Sequence, residues 1–465
     1  MKQADRAEKL FAEVSAVITP TRQESEKEKA FALELVEKLE AAIRMPSARV
    51  YFVGSTARDT GLHLDKDIDL FVAFPQKFSR EQIAEKTFAA ANAGIPARWE
   101  THYAEHPYLA AVVGGYKVEV IPCFQIQPHE PIKSAVDRSP LHMDYLQKRL
   151  NFRQKRDVRL LKALLKRAGV YGAEVTIGGF SGLLCEYLVL NYRSLWLLLE
   201  AASQWKPPVT IDIESAWRGK ELELAGKFAG SPIVMVDAID KNRNAAAAVS
   251  GESLATLAAV AQAFTASPVK EFFFASEQKP ALPAAVASAI SARGTAFYAI
   301  EFPRPRGSVE DTVFPQARKI LNSLCDVLKR EDFPVLDSTI LMDERRFWLL
   351  LELQYDKRPG VKIFSGPPVW FAKDAISFAA GHKRAVRGPY LSGERWYAEE
   401  KRSQTGAKEF LQARLKTPAG IGIGPHLDAA FKRARLHEGT KIVGEMDALE
   451  LKRLDSFLHR RAFWL

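Results

Sequence analysis

The run Val50-Tyr51-Phe52-Val53 closing on Gly54-Ser55, followed by Asp67-Ile68-Asp69 inside an apolar stretch, constrains this chain more than any other feature. Four apolar residues ending in Gly-Ser read as a strand that turns tightly into a short helix, where glycine lets the backbone approach closely and unpaired amides face phosphate. Ser55 adds a hydroxyl donor and Arg58 a fixed positive charge. Ile68 to Phe74 reads as a second strand, and its two-residue period sets Asp67 and Asp69 on one face. Carboxylates placed side by side repel unless divalent cations neutralise them, and hard oxygen ligands suit Mg²⁺ better than Zn²⁺. Glu119, flanked by Val118 and Val120, supplies a third acid on a neighbouring strand. Three acids on two strands suffice for two ions that hold an attacking hydroxyl and a leaving pyrophosphate in line. A lone Asp-x-Asp is more often a solvated strand edge; the Gly-Ser turn just upstream favours a metal-dependent site for a nucleoside triphosphate.

The order Gly-Ser, Asp-x-Asp, then a strand acid before Ile121-Pro122-Cys123 resembles the polymerase-beta-like nucleotidyltransferase superfamily. Further segments narrow the likeness: Lys133 to His142, Arg159-Leu160-Leu161-Lys162, Val170 to Glu174, Gly179 to Glu186, Val236 to Asn244 and Phe302-Pro303-Arg304-Pro305 resemble the archaeal class I CCA-adding enzymes, the tRNA nucleotidyltransferases. The resemblance continues to Gly388-Pro389-Tyr390 and Arg395-Trp396. It implies stepwise, untemplated addition of C, C and A to the 3′ end of tRNA from CTP and ATP, with release of pyrophosphate. It further implies Asp67 and Asp69 as ligands of two Mg²⁺ ions, and Glu119 as a ligand of the ion that activates the tRNA 3′ hydroxyl. Gly54, Ser55, Arg58, His142, Lys162 and Tyr171 would hold the incoming nucleotide, mainly its triphosphate and ribose, and Arg243 would read the base edge. One position departs from the family, which usually carries Asp where Glu119 stands. A positioning error near ~1 Å costs on the order of a hundredfold in rate, so either the backbone has adjusted or activity is reduced.

A chain of 465 residues is too long for one core and implies about three domains. The fold class expected is α+β and multidomain: a polymerase-beta-like head at 1–145, a mainly helical central nucleotide-binding domain at 146–264, and an α+β tRNA-binding body and tail at 265–465. Within the head a helix is expected over Gln23 to Ile43, then strands and helices building an antiparallel or mixed sheet. In the centre, Phe180-Ser181-Gly182 caps a helix expected to run through Leu183 to Leu199. Lys279-Pro280-Ala281-Leu282-Pro283 reads as a link or loop. Farther on, Trp370, Phe371, Tyr390, Trp396 and Tyr397 interleave with basic residues, as an RNA-gripping surface would, although packing accounts for most such aromatics equally well.

Basic residues outnumber acidic ones by 66 to 56, a net charge of +10 that favours a polyanionic partner only weakly. Placement of the charge says more. Lys148, Arg149, Arg153, Lys155, Arg156, Arg159, Lys162, Lys166 and Arg167 crowd an amphipathic helix whose polar face would either track phosphates or be solvated. Three widely spaced cysteines give no metal or disulfide pattern, and no stretch approaches the ~20 apolar residues of a membrane span, so a reducing, cytoplasmic setting is expected. Dimerisation is common in the family resembled, and nothing in the residues establishes a homodimer here. Three readings stay open: full CCA addition, a terminal transferase adding only C or A, and a non-catalytic tRNA-binding protein in which Glu119 has spoiled the metal site.

Overall fold

The structure, a computed structural model, describes residues 3–103, 107–127, 130–274, 280–417 and 420–464; Lys279 of the expected link lies outside them. Two units cluster separately, Met1–Gln278 with Ala462–Leu465, and Lys279–Arg461. The class is α+β and multidomain.

The first unit opens with α1 (Gln3–Ile18) and α2 (Arg22–Ile43). Thr21 and Glu24 cap α2 reciprocally, which fixes its start one residue before the expected helix. Then come β1 (Arg49–Val53), the single turn α3 (Gly54–Ala57), β2 (Asp67–Phe74), α4 (Arg80–Gly94), β3 (Glu100–Tyr103), β4 (Pro107–Val113) and β5 (Tyr116–Phe124). The strands form one mixed sheet in the order β1-β2-β5-β4-β3, with β2 and β5 parallel. Alternation along β2 sends Ile68, Leu70, Val72 and Phe74 into a core with Leu35 and Leu39 of α2 and Ile83 of α4. The opposite face carries a small cluster of Val53, Phe71, Ala73, Ile121 and Cys123.

A helical bundle follows: α5 (Arg138–Arg149), α6 (Phe152–Arg167), α7 (Gly182–Tyr192), α8 (Leu195–Ala202), then β6 (Val209–Ile211), α9 (Glu221–Lys227), β7 (Ile233–Met235) and α10 (Gly251–Ala266). Phe11 and Val14 of α1 join the core made by Leu161, Leu164, Leu188, Leu198 and Leu257. The helix expected over Leu183 to Leu199 is instead two helices. Arg193 ends α7 in the left-handed region at φ +69°, and Ser194 caps α8 by accepting from the Leu197 amide. The break falls where Asn191, Arg193 and Ser194 interrupt the apolar run, and serine is a residue type that starts helices.

In the second unit, α11 (Pro283–Ala292), β8 (Ala296–Pro303), α12 (Glu310–Arg330), β9 (Val335–Met342) and β10 (Arg346–Leu353) lead to β11 (Val361–Pro368), α13 (Ala372–Gly381), β12 (Arg387–Ser392) and β13 (Arg395–Lys401). It closes with α14 (Ala407–Lys416), α15 (Asp428–Phe431), β14 (Arg435–Glu438) and α16 (Ala448–Leu458). An antiparallel sheet β14-β8-β10-β9 packs α12 on one face, and α11 and α16 on the other. A second sheet, β11-β13-β12, stacks Tyr390 on Tyr397 at 5.9 Å and leaves Trp370 and Phe371 exposed beside it. Among the described residues, no helix is long and apolar enough to cross a membrane.

Candidate active site

Gly54 leaves β1 at φ +84°, where L side chains are strained, and a Cβ built on it would stand 2.1 Å from Asp69 Oδ2. The glycine turn therefore lies directly against the acid. Val53 faces Asp69 in antiparallel register, and Asp69 faces Glu119 in parallel register. Asp67, Asp69 and Glu119 share the sheet face opposite the main head core.

Asp67 is exposed and Asp69 half-buried. Burial, followed by the charges of Glu119 and Asp67, pushes the Asp69 carboxyl up to about 7. Burial also raises Asp67, with Lys117 opposing it. Among the described residues, no hydrogen bond reaches either carboxylate. Acids this poor in donors are costly as bare anions and well suited to a hard divalent cation, so the donor set fits Mg²⁺. Glu119 sits differently: Lys117 Nζ donates to its Oε1 at 2.6 Å, and the ligand oxygens of the three acids do not all gather within 4.8 Å of one another. Asp343, Asp447 and Glu450 of the second unit do gather so closely, but they are committed to capping backbone amides and pairing with Arg345 and Arg346.

A second group lies where α3 meets the bundle. Arg58 Nε donates to Glu186 Oε1 at 2.9 Å, and the Thr60 hydroxyl donates to the same oxygen at 2.6 Å. Glu186 is fully buried in α7, and its Oε2 has no partner among the described residues. Lys162, also buried, donates to the Thr60 carbonyl at 2.9 Å; burial lowers its ammonium pKa while Glu186 opposes the change. A Cβ on Gly182 would lie 3.4 Å from the Tyr171 hydroxyl and 3.7 Å from Lys162 Nζ, so both groups stand at the start of α7. Arg58 is close enough to Asp69 for its charge to offset part of that acid's upward shift. Ser55 is half-buried in α3.

His142 and Arg243 form a third group, joined through Asp237 in the loop after β7. Beside that loop opens a cavity of about 610 Å³ lined by Leu141, Glu214, Asp237, Ile239 and Asp240, among others. Its acidic lining suits a base or ribose better than a triphosphate. Neither Asp67, Asp69 nor Glu119 lines it.

Much of the basic face of α6 is engaged with protein in this structure, although Arg153 and Lys166 keep substantial exposure. Lys155 pairs with Asp59, Arg159 donates to the carbonyls of Asp59 and Gly61, Lys162 holds Thr60, and Lys166 pairs with Asp65. Residues three or four apart on one helix face thus clamp the 59–65 loop that joins the glycine turn to the acidic strand. Arg159→Met leaves two carbonyls without their donor and is expected to lower unfolding stability by roughly 2–4 kcal/mol in urea melts without nucleotide. A loss no greater than that from replacing exposed Lys9 would show that the loop is held by other contacts.

Glu186 and Asp237 were not among the candidates read from sequence. A signal was present for both: each is a single acid at the end of, or within, an apolar run, Leu183-Leu184-Cys185-Glu186 and Ile233-Val234-Met235-Val236-Asp237. Buried acids in such runs are kept only where donors meet them.

Residues 32–142, which contain the glycine turn and all three acids, match the family model described as a nucleotidyltransferase domain, and the chain is a nucleotidyltransferase. Residues 156–274 match the model described as the second domain of tRNA nucleotidyltransferase, and residues 293–439 the C-terminal domain of CCA-adding enzyme. The CCA-adding enzyme of Methanoregula boonei is 34% identical over 420 residues, spanning 89% of this chain and 88% of its own. That of Haloarcula marismortui is 35% identical over 447 residues, spanning 92% and 93%. The chain belongs to the CCA-adding enzyme family.

Proposed function

We propose that this chain adds C, C and A in turn to the 3′ end of tRNA from CTP and ATP, with no nucleic-acid template, and that Asp67, Asp69 and Glu119 hold two Mg²⁺ ions for the reaction. The register of Asp69 beside Glu119, with Gly54 packed on Asp69, is the observation that carries this reading. Bound Mg²⁺ would neutralise the triphosphate and favour the ionised 3′ hydroxyl. The residues do the positioning. Asp67 and Asp69 supply hard oxygen ligands, and Glu119 completes the set by leaving Lys117. Gly54 admits the substrate close to the backbone, Ser55 donates a hydroxyl, and Arg58 brings positive charge near Asp69 while Glu186 steadies it. Lys162 and Tyr171 act at the start of α7, Lys162 chiefly through its charge. His142 and Arg243 meet the ribose and base. Catalysis is then positioning and charge neutralisation without a covalent enzyme intermediate. The division into head 1–145, centre 146–264 and body with tail 265–465 belongs to the same proposal, with the tRNA held by the last part, a cytoplasmic setting, and a homodimer as the family's common assembly. Its support is the three successive family matches.

The test is incubation with Mg²⁺ and a tRNA lacking CCA, given CTP, ATP or both, with products resolved to single nucleotides. Two additions with CTP and a third only with ATP present are expected. Addition of one base type would assign the chain to the partial transferases. Salt-sensitive tRNA binding without pyrophosphate release would make it a binding protein, a reading for which the Lys117–Glu119 ion pair is the structural motive.

A further inference from the structure

Asp237 carries an unusual load for one side chain. It is 1% exposed, and its Oδ1 accepts from His142 Nε2 at 2.9 Å, from the Ile239 amide at 2.9 Å and from the Tyr187 hydroxyl at 3.2 Å. Its Oδ2 accepts from Arg243 Nη1 at 2.5 Å and lies 3.1 Å from His142 Nε2. The Asp237 amide also donates to the Arg243 carbonyl at 3.1 Å, so backbone and side chain of Arg243 are tied to the same residue. Burial alone would raise the Asp237 carboxyl, but the His142 hydrogen bond and charge, the Ile239 amide and Arg243 together hold it well below the usual carboxylate range. The anchor therefore stays ionised.

We propose that Asp237 is a positioning residue for base selection, fixing the guanidinium of Arg243 and the ring of His142 in one rigid frame before the nucleotide arrives. The inference rests on the reading above, in which His142 and Arg243 meet the nucleotide. One guanidinium nitrogen of Arg243 is held by Asp237, while the side chain keeps about a third of its exposure (34%) and its other nitrogens have no partner among the described residues. A fork anchored at one prong presents a fixed row of donors, and a fixed row tells the acceptor edges of cytosine and adenine from those of uracil and guanine. Unanchored, the same fork follows any base. Asp237 itself lines the cavity beside the 237–242 loop, whereas His142 and Arg243 do not line it.

The experiment measures CTP and UTP affinity by calorimetry, and single-turnover incorporation of each on a tRNA lacking CCA, for the full chain and its variants. Asp237→Asn is expected to cut the CTP-over-UTP preference by about ten- to hundredfold, mostly through KM, and Arg243→Ala is expected to cost little more in that background. An unchanged preference in Asp237→Asn, or an equal cost of Arg243→Ala in both backgrounds, would overturn the proposal. If His142→Ala and Arg243→Ala each leave CTP affinity intact, the underlying site reading fails instead. A readout independent of variant folding is the ¹⁵N spectrum of histidine-labelled wild-type protein. The proposal requires a protonated, hydrogen-bonded Nε2 on His142, and an Nδ1-only tautomer would sink it.

Discussion

Asp69→Asn is expected to abolish nucleotide addition, by at least about a thousandfold, while making the metal-free protein more stable at pH 8. The two effects share one cause. Asp69 stands without donors between two other acids, and its carboxyl titrates at about 7 instead of the 3.8 of a free aspartate. Because the folded-state pKa is raised, the folded form holds its proton more tightly than the unfolded chain does. Stability is then lost as pH climbs from about 4 to about 7, and the full penalty, on the order of 1–4 kcal/mol, applies above that. Asparagine carries no such penalty. Melting temperatures across pH 5–8 in a chelator should therefore diverge between wild type and Asp69→Asn as pH rises, then run parallel. Adding Mg²⁺ at pH 8 should raise the wild-type melting temperature and leave the variant unmoved, since a ligand stabilises only the state that binds it. Matching pH profiles for the two proteins would show that Asp69 is not under this strain, and full activity in the variant would remove it from the metal set.

Gly54→Ala is expected to be nearly as damaging, through geometry alone. The position sits at φ +84°, and the new methyl would meet Asp69 Oδ2 at 2.1 Å. Backbone strain of about 1–3 kcal/mol adds to the clash, and either β1 or the carboxylate must move. A shift near ~1 Å at a reacting centre costs on the order of a hundredfold, so kcat should fall at least that far while far-UV circular dichroism stays native-like. Alanine is the smallest substitution that makes this test, because it adds one carbon and no charge. Wild-type kcat in Gly54→Ala would mean that Asp69 does not have to remain in its present place for activity.

Much of this site was legible in the chain because strands impose a short, rigid period. Asp67 and Asp69 lie two residues apart, so their shared face follows from local geometry, as does the alternation of Glu119 with Val118 and Val120 on its own strand. The parallel pairing that sets Asp69 opposite Glu119 is a matter of register between segments some fifty residues apart, and no local rule supplies it. The split between α7 and α8 had a local mark, since Asn191, Arg193 and Ser194 interrupt the apolar run there, but polar residues also occur within helices, and the left-handed turn at Arg193 is what bends the chain. The basic face of α6 was legible as charge but not as a clamp. Charge on a helix is solvated, bound to phosphate or spent on protein, and the choice depends on what packs opposite; here that is the 59–65 loop, whose carbonyls and acids take up four cations.

The residues by themselves determined the α+β class, the glycine turn, the three acids and the family, since each rests on residue type, spacing or linear likeness. Only tertiary structure decided that Arg58 leans on buried Glu186 and that one carboxylate, Asp237, holds both His142 and Arg243. The physical reason is the range of the forces involved. Backbone preference and side-chain alternation act over a few residues, whereas a buried ion finds its partner wherever the fold brings a donor, and His142 and Asp237 are 95 residues apart in sequence.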